Sequence, residues 1–277
     1  MFQDCFIAYY QSLSQRLRDH FHIAAEYFDP DSIHDLRVEI KQLRAFFRLI
    51  EWLTPDFRAK KSFRKFRELF KAAAELRDVH VQQEFTRTYA KQFGLALYEY
   101  YNFLKQREQK ARKHFAEFAK SFAIEKACAK NEQKLQQVLK DVADEQAAAS
   151  TRAQIQQLMD EMRQFGRAKR LQREHLHKLR ILTKEVRYTM DLARQCFPEL
   201  GYTETFSETL RGLHQVLGKW HDIEIALERL AAFQTDSPEP ITMVSVHEDL
   251  SHLLQQEKTD LLTTFEARWG ELASGTN

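Results

Sequence analysis

The sequence is poor in the residues that interrupt helices, with seven glycines and five prolines among 277 residues. Strong helix formers such as Leu, Ala, Gln, Glu, Lys and Arg are abundant instead. This balance predicts an all-α fold. Because 43% of the residues are hydrophobic and 30% are charged, we expect a globular chain without long disordered tracts.

Long apolar runs and closely spaced cysteines are also missing. No run approaches the ~18 apolar residues of a membrane span, and the N-terminus lacks the basic region of a secretory signal. Cys5, Cys128 and Cys196 are odd in number and far apart, which argues against a disulfide framework or a zinc knuckle. These absences predict a cytoplasmic protein in a reducing setting, with no membrane association.

Familiar catalytic and cofactor motifs are absent as well. The sequence has no HExxH motif, no P-loop and no glycine-rich dinucleotide turn. No nucleophile, base and acid stand out as a set. We therefore expect a binding protein without a cofactor rather than an enzyme.

What the sequence does contain is a cationic stripe on a predicted amphipathic helix, Ile33–Ile50. An α-helix turns about 100° per residue, so four cationic side chains fall within roughly 80° of arc, opposite the apolar ones. These four are His34, Arg37, Lys41 and Arg44. We expect the helix to begin after Asp29–Ser32, with Asp31 as its cap, and to end near Thr54–Pro55.

The stripe occurs again 143 residues later, within Leu176–Ala193, as His177, Arg180, Lys184 and Arg187. A shift of 144 residues also aligns Arg67 with Arg211, and Arg77-Asp78 with His221-Asp222. We therefore predict one domain over 1–277 built from two internal repeats, about 1–128 and 129–277. Each repeat is expected to form a four-helix bundle, related to the other by pseudo-symmetry.

The other predicted helices follow from the same periodicity. They cover 2–28, 56–93 with a bend or break near 74–78, 95–127, 130–170 with fraying at 147–150, 203–217, a short helix from the break at Gly218 to 233, and 244–272. The residues 235–240 are the clearest predicted loop.

Positive charge is unevenly distributed, although the net charge is only +2. Asp56–Lys71 holds seven Lys and Arg residues against Asp56 and Glu68, a local excess of five. Within the stripes, Arg37/Lys41 and Arg180/Lys184 are like-charged pairs four residues apart, which cost a few tenths of a kcal/mol each in a helix. Both features favour a polyanionic partner that offsets the repulsion.

Three alternatives remain open at the stripes. They can form a solvated face, or an ion-pair network satisfied by Asp78 and Asp222. These two aspartates can equally orient the cations from behind, which we favour, or cap helices. The third alternative is metal binding, since Asp31-x-x-His34 and Glu174-x-x-His177 resemble half-sites of di-iron bundles. The Arg and Lys residues on the same faces would repel a divalent cation.

Three motifs resemble the CHAD family (conserved histidine α-helical domain). They are His-x-x-Arg-Val-x-x-Lys-x-Leu-Arg at 34–44, the related pattern at 177–187, and Arg-Asp-Val-His-Val at 77–81. The resemblance spans nearly the whole chain and implies two four-helix bundles that enclose a basic cleft. It also implies binding of inorganic polyphosphate, often at polyphosphate granules.

Transferred to this sequence, the resemblance and the adjacent basic residues define the expected polyphosphate-binding set. Its members are His34, Arg37, Lys41, Arg44, Arg48, Arg64, Arg67, Lys71, His177, Arg180, Lys184, Arg187 and Arg211. Gln42, Glu185 and His221 depart from the family pattern and are expected to weaken or tune binding. The chain leaves no room for the triphosphate-hydrolysing domain found in some family members, so we expect a stand-alone binder.

The leading hypothesis is a non-enzymatic polyphosphate-binding module. Nucleic-acid binding is disfavoured because Phe63, Phe66 and Phe70 have the spacing of packing residues rather than of stacking residues. Chelation of a divalent metal by the histidines and a plain helical scaffold are the remaining hypotheses. The sequence leaves the preferred polyphosphate length, the oligomeric state and the protonation of His34 and His177 open.

Overall fold

A computed structural model describes residues 1–166, 172–236 and 244–274. Within these ranges the regular elements are helical and no strand occurs, which confirms the predicted all-α class. The elements are α1 (Phe2–Tyr27), α2 (Pro30–Leu53), α3 (Ala59–Ser62), α4 (Arg64–Ala72), α5 (Ala74–Phe93), α6 (Tyr98–Ser121), α7 (Ile124–Leu139), α8 (Asp144–Gly166), α9 (Arg173–Cys196), a 3₁₀ turn (Pro198–Leu200), α10 (Glu204–Asp236) and α11 (Val244–Ser274).

The chain divides into two compact units, and each is built from two separate segments. Unit 1 comprises Met1–Ala73 and Ala116–Gly212, and unit 2 comprises Ala74–Phe115 and Leu213–Asn277. These divisions do not coincide with the boundaries of the expected sequence repeats. The assignment of a single domain with two repeats therefore stays a prediction.

The start of α2 is fixed by its first residues. Asp29 accepts a hydrogen bond at Oδ2 from the backbone N–H of Ser32 at 2.8 Å, and Pro30 occupies the first helical turn. The prediction that Asp31 caps this helix was wrong, because Asp31 lies inside the first turn. The preceding Phe28 adopts a left-handed conformation that ends α1.

The two stripe helices, α2 and α9, have the same length of 24 residues, and their ends are related by the same shift of 143. Each buries one apolar face. Leu36 and Leu43 are buried on α2, and Leu179 and Val186 occupy the matching positions on α9. The helix limits thus follow the repeat in the sequence, and the cationic stripes remain on the less buried faces.

Several predicted helix limits were wrong because tertiary packing decided them. The predicted helix 95–127 is broken between Ser121 and Ile124, where fully buried Ile124 starts α7. The predicted helix 130–170 is broken at residues 140–143, and Arg170 lies outside the described residues. Ala147, where fraying was expected, is fully buried within α8.

Gly218 does not break its helix as predicted. The long helix α10 runs through it, and the neighbouring Leu217 and Trp220 are buried. A glycine inside a helix costs about 1 kcal/mol relative to alanine, which burial of such side chains offsets. The predicted loop at 235–240 lies mostly outside the described residues, because only 235 and 236 are described.

Cys5 of α1 and Cys196 at the end of α9 form a disulfide, with their Cα atoms 5.7 Å apart. The prediction from cysteine spacing was therefore wrong, because folding brings together residues 191 positions apart in the chain. Cys128 is a free, buried thiol. The spacing argument for a reducing setting does not hold for this chain.

Unit 1 has an aromatic core in which Phe6, Tyr10 and Phe47 are fully buried. The hydroxyl of Tyr10 donates to the carbonyl of Cys128 at 2.9 Å and so joins α1 to α7. The core of unit 2 contains Tyr100 and Phe233, whose rings are 5.3 Å apart. In the described ranges, no helix combines the length and apolarity that crossing a membrane requires.

Candidate anion-binding site

A cavity of about 300 Å³ lies in unit 1 between the two stripe helices. Its walls come from α2 and α9, and α4 contributes Phe70. The lining residues are Arg37, Lys41, Arg44, Ala45, Phe70, His177, Arg180, Ile181, Lys184, Glu185 and Tyr188. Residues of both stripes therefore line one shared cavity, hereafter the stripe cavity.

The packing of α2 and α9 explains why cations meet there. Each helix buries its apolar face, and its stripe lies at the border of that face. Arg37 and Lys41 on α2, like Arg180 and Lys184 on α9, are consequently half-buried. Long Arg and Lys side chains can pack their stems on apolar surface while their charged ends stay in the cavity.

Phe70 holds the α2 side of the cavity in place. The Arg37 guanidinium carbon lies 3.9 Å from the centre of the Phe70 ring, and Nη1 donates to the Phe70 carbonyl at 2.7 Å. The Nζ of Lys41 lies 5.7 Å from the same ring centre. Cations favour the face of an aromatic ring, so Phe70 positions two stripe residues at once.

From its spacing, Phe70 is predicted to be a packing residue. The structure shows that it also forms part of the cavity wall. Phe66, one turn earlier on α4, is fully buried, whereas Phe70 is half-buried. The two phenylalanines share the apolar face of one helix, and their local sequence offers little to distinguish them. The difference becomes visible only in the tertiary structure, where Arg37 of α2 lies over the Phe70 ring.

Glu185 is the carboxylate that lines the stripe cavity among the described residues. It is 7% exposed, and its Oε2 accepts from Nη1 of Arg48 at 2.6 Å. Burial raises the pKa of Glu185, whereas the positive charges of Arg48 and Arg44 act in the opposite direction. Arg48, an expected ligand contact, is thus engaged with the one acid of the cavity wall.

Two further predicted residues lie beside carboxylates rather than in the stripe cavity. Arg187 of α9 is 3.3 Å from Asp191, one turn further along the helix. The same aspartate accepts from the hydroxyl of Ser207 at 2.8 Å. Arg211 lies 3.9 Å from Glu204 on α10. The equivalence of Arg44 and Arg187 in sequence therefore does not extend to their surroundings.

The remaining predicted residues of unit 1 are exposed side chains that do not line the cavity. His34 lies near the start of α2, and Arg64, Arg67 and Lys71 lie on α4. The α4 cations recur at intervals of three and four residues, so they share one helix face. Their assignment to polyphosphate binding stays a prediction.

Asp78 and Asp222 belong to unit 2, where Asp78 lies within α5 and Asp222 within α10. Neither residue is at a helix start, so the alternative of helix capping was wrong. Asp222 lines a separate cavity of about 550 Å³ in unit 2, together with Arg77 and Lys219. A role of the two aspartates in orienting the stripe cations stays a prediction.

The histidines are also candidate metal ligands from the sequence. Across 1–166, 172–236 and 244–274, no group of three or more His, Cys, Asp or Glu residues is placed to hold a metal ion. The lining of the stripe cavity instead combines His177 with five Arg and Lys residues. This donor set suits an anion with several oxygen atoms.

The fold has counterparts among solved structures. The crystal structure of the CHAD domain from the plant Ricinus communis matches with a TM-score of 0.76 and 19% identity, covering 98% of this chain and 92% of that chain. PptA from Streptomyces chartreusis matches with a TM-score of 0.73 and 14% identity, covering 97% and 99%. At these identities the likeness concerns the fold.

Among curated proteins, none matches the chain. The model of the CHAD domain family, however, matches residues 8–231, which include both stripe helices and the α4 cations. This match covers most of the sequence and agrees with the fold found in the Ricinus communis structure. The chain therefore belongs to the CHAD domain family.

Proposed function

We propose that this protein binds inorganic polyphosphate, or a closely similar phosphate polyanion, in the stripe cavity. The observation that carries the proposal is the shared lining by cations of two helices. Arg37, Lys41 and Arg44 come from α2, and Arg180 and Lys184 come from α9. Within the described part of the chain, the same lining holds a single carboxylate, Glu185, which pairs with Arg48.

Phosphate oxygens suit this set of donors. Arginine presents a planar fork that can donate two parallel hydrogen bonds to a phosphate, while lysine provides a mobile point charge. A bound polyanion would also relieve the repulsion within each stripe, where Arg37 and Lys41 are one turn apart. By analogy with nucleic acids, such binding releases counterions and weakens steeply with added salt.

The cavity is less suited to nucleic acid. Reading or stacking of bases requires accessible aromatic faces near the phosphate contacts. The ring of Phe70 is covered by Arg37, and Tyr188 is buried. Polyphosphate has no bases and needs no aromatic stacking partner. The lining of the cavity therefore favours polyphosphate over RNA as the ligand.

Binding without turnover is the activity we propose. The carboxylate of the cavity wall, Glu185, is engaged with Arg48 rather than free to act as a base. The remaining Arg and Lys residues are donors that recognise an anion. A cytoplasmic location, with association to polyphosphate granules, is the setting in which this activity would operate.

The test is calorimetry with long-chain polyphosphate at a low and a high salt concentration. We expect binding at low salt that weakens when salt is added. The double variant Lys41→Ala/Lys184→Ala should reduce the slope of log K against log salt by about 1.5, as two lost phosphate contacts imply. The control Lys110→Ala/Lys113→Ala removes two exposed lysines of α6 and should leave the slope nearly unchanged.

Absence of binding at low salt would overturn the proposal. Equal losses in the cavity variant and the control would show that binding is a diffuse charge effect and not a property of the stripe cavity. Displacement of polyphosphate by equimolar RNA of the same charge would favour the nucleic-acid alternative. Thermal melts of each variant check that the fold is retained.

A further inference from the structure

Unit 1 carries a second group of cations, which does not line the stripe cavity. It consists of Arg58, Lys61, Lys130 and Lys134, and we name it the α3–α7 cluster. Arg58 precedes α3 and Lys61 lies within it, while the other two lie on α7. The segments 58–61 and 130–134 are 69 or more residues apart in sequence and are brought together by the fold of unit 1.

Lys134 is the best-defined member of the cluster. Its Nζ lies 4.4 Å from the centre of the fully buried Phe57 ring and donates to the hydroxyl of Ser62 at 3.1 Å. The neighbouring Asn131 donates to the Ser62 carbonyl at 3.3 Å, which joins α7 to the end of α3. The ammonium group is thus held in a fixed place by uncharged partners.

The electrostatic surroundings of Lys134 are unfavourable to its own charge. Burial lowers the pKa of Lys134, and the positive charges of Lys61, Arg58 and Lys130 lower it further. Glu51 acts in the opposite direction. Its carboxylate, however, already accepts a hydrogen bond from the backbone N–H of Ala59 at 2.9 Å.

The helix α7 repeats the pattern that marked the two stripes. Lys126, Lys130 and Lys134 are spaced four residues apart, so they share one face and repel one another. Glu132, which lies between Lys130 and Lys134 in sequence, accepts from the side chain of Gln11 at 2.7 Å. In the part of the chain that the structure describes, none of the four cluster cations forms an ion pair within 4.0 Å.

We propose that the α3–α7 cluster is a second polyphosphate-binding site of unit 1, outside the stripe cavity. The inference rests on the function proposed above, because it assigns to the cluster the same class of ligand. The aromatic ring of the cluster, Phe57, is fully buried beneath Lys134 and offers no face for a base. A ligand that carries closely spaced charges without bases fits these contacts.

Along the chain, the helix α4 lies between α3 and the Phe70 side of the stripe cavity. α4 follows α3 directly and ends beside Phe70, which is part of the stripe cavity. Its exposed cations Arg64, Arg67 and Lys71 share one face. A long polyphosphate can therefore engage the cavity and the cluster together, whereas a short one engages the cavity alone, so chain length separates the two sites.

The experiment compares tripolyphosphate with long-chain polyphosphate on four proteins. These are the unaltered chain, the cavity variant Lys41→Ala/Lys184→Ala, the cluster variant Arg58→Ala/Lys61→Ala/Lys130→Ala, and the control Lys91→Ala/Lys110→Ala/Lys113→Ala. All three residues of the cluster variant are exposed, as are the three of the control, so the loss of charge is matched and the core is untouched. Lys134 is kept because it packs on Phe57.

We expect the cluster variant to bind long-chain polyphosphate about tenfold more weakly at low salt, with a salt slope smaller by about two. Its affinity for tripolyphosphate should stay within about twofold of the unaltered chain, since the three lost charges lie outside the stripe cavity. The cavity variant should lose affinity for both ligands.

Each contrary result identifies which proposal fails. If the unaltered chain binds neither ligand, the proposed function fails and this inference fails with it. If the cavity variant loses binding while the cluster variant behaves like the control, the second site is refuted and the proposed function stands. If, in a parallel titration with RNA, the cluster variant loses affinity for RNA but keeps its affinity for polyphosphate, the assigned ligand of the cluster is wrong.

Discussion

Arg48 of α2 and Glu185 of α9 form an ion pair across the two stripe helices, with 2.6 Å between Nη1 and Oε2. The pair holds the carboxylate of the cavity wall against a cation that is itself outside the lining. Arg48 is therefore a positioning residue in this structure. Its positive charge offsets that of the carboxylate in the cavity lining.

Replacing Glu185 with Gln should strengthen polyphosphate binding by about two- to fivefold at low salt. The change removes one negative charge from the cavity wall, and the gain should shrink as salt screens it. Calorimetry at two salt concentrations measures the effect. Unchanged or weaker binding by the variant, with an unchanged melting temperature, would show that the ligand does not approach Glu185.

The same residue predicts a pH dependence of binding. The pKa of Glu185 is raised by burial, so this carboxyl takes up a proton at a higher pH than an ordinary glutamate. Protonation removes its negative charge, and affinity for polyphosphate should rise as pH falls towards the acidic range. The Glu185→Gln variant lacks this group, so its affinity should rise less over the same interval.

Replacing Phe70 with Leu should weaken polyphosphate binding by about two- to tenfold. The substitution keeps an apolar side chain but removes the ring beneath Arg37 and near Lys41, a contact worth about 0.5–1 kcal/mol when exposed and more when desolvated. The matched control is Phe63→Leu, one residue before α4 and outside the cavity lining. Equal affinities for the two variants would argue against the positioning role of Phe70.

Removing the disulfide should lower the stability of unit 1. Cys5 and Cys196 are 191 residues apart, and loss of a native disulfide typically costs about 2–5 kcal/mol. We expect Cys5→Ser, or addition of a reductant, to lower the melting temperature. The variant itself should no longer respond to the reductant. An unaltered chain whose melting is insensitive to reductant would contradict this link.

Stability should also fall on acidification because of a buried histidine in unit 2. His247 is 0% exposed and packs against Phe233 at 5.1 Å between ring centres. Burial lowers its pKa, and Glu99 only partly opposes the effect. The unfolded chain therefore binds a proton that the folded chain rejects, so stability is present above about pH 6.5 and is lost as pH falls below it.

The variant His247→Leu should lose less stability than the unaltered chain between pH 7.5 and pH 5.5, measured by urea unfolding. The drop should be about half as large, because His80, whose pKa is also lowered by burial, remains. Glu108, Arg112 and Arg77 surround that second histidine. Equal drops in both proteins would mean that His247 does not titrate in this range.

The sequence predicted the stripe helices well because their signals are local. The spacing of the cations and apolar residues gave both helices, and their shared register suggested that they serve one site. What it missed depends on contacts between distant segments. Examples are the disulfide, the start of α7 at buried Ile124, and the ring of Phe70 beneath Arg37.

The sequence also did not predict the surroundings of Arg187 and Arg211, for a related reason. Both match residues of the first stripe region in sequence, yet Asp191 and Glu204 lie beside them in the structure. Two sequence repeats can keep the same type of residue at equivalent positions while the residues around those positions differ. Charge alone therefore could not separate the cations that line the cavity from those that lie outside it beside carboxylates.

Each compact unit is assembled from two stretches of chain, because the backbone passes between units after Ala73, Phe115 and Gly212. No single truncation can thus yield either unit without a segment of the other. During synthesis, the stripe cavity can form only after α9 has left the ribosome, because α2 and α9 both line it. A premature stop between residues 73 and 173 would release a fragment that carries the α2 and α4 side of the cavity wall but lacks α9.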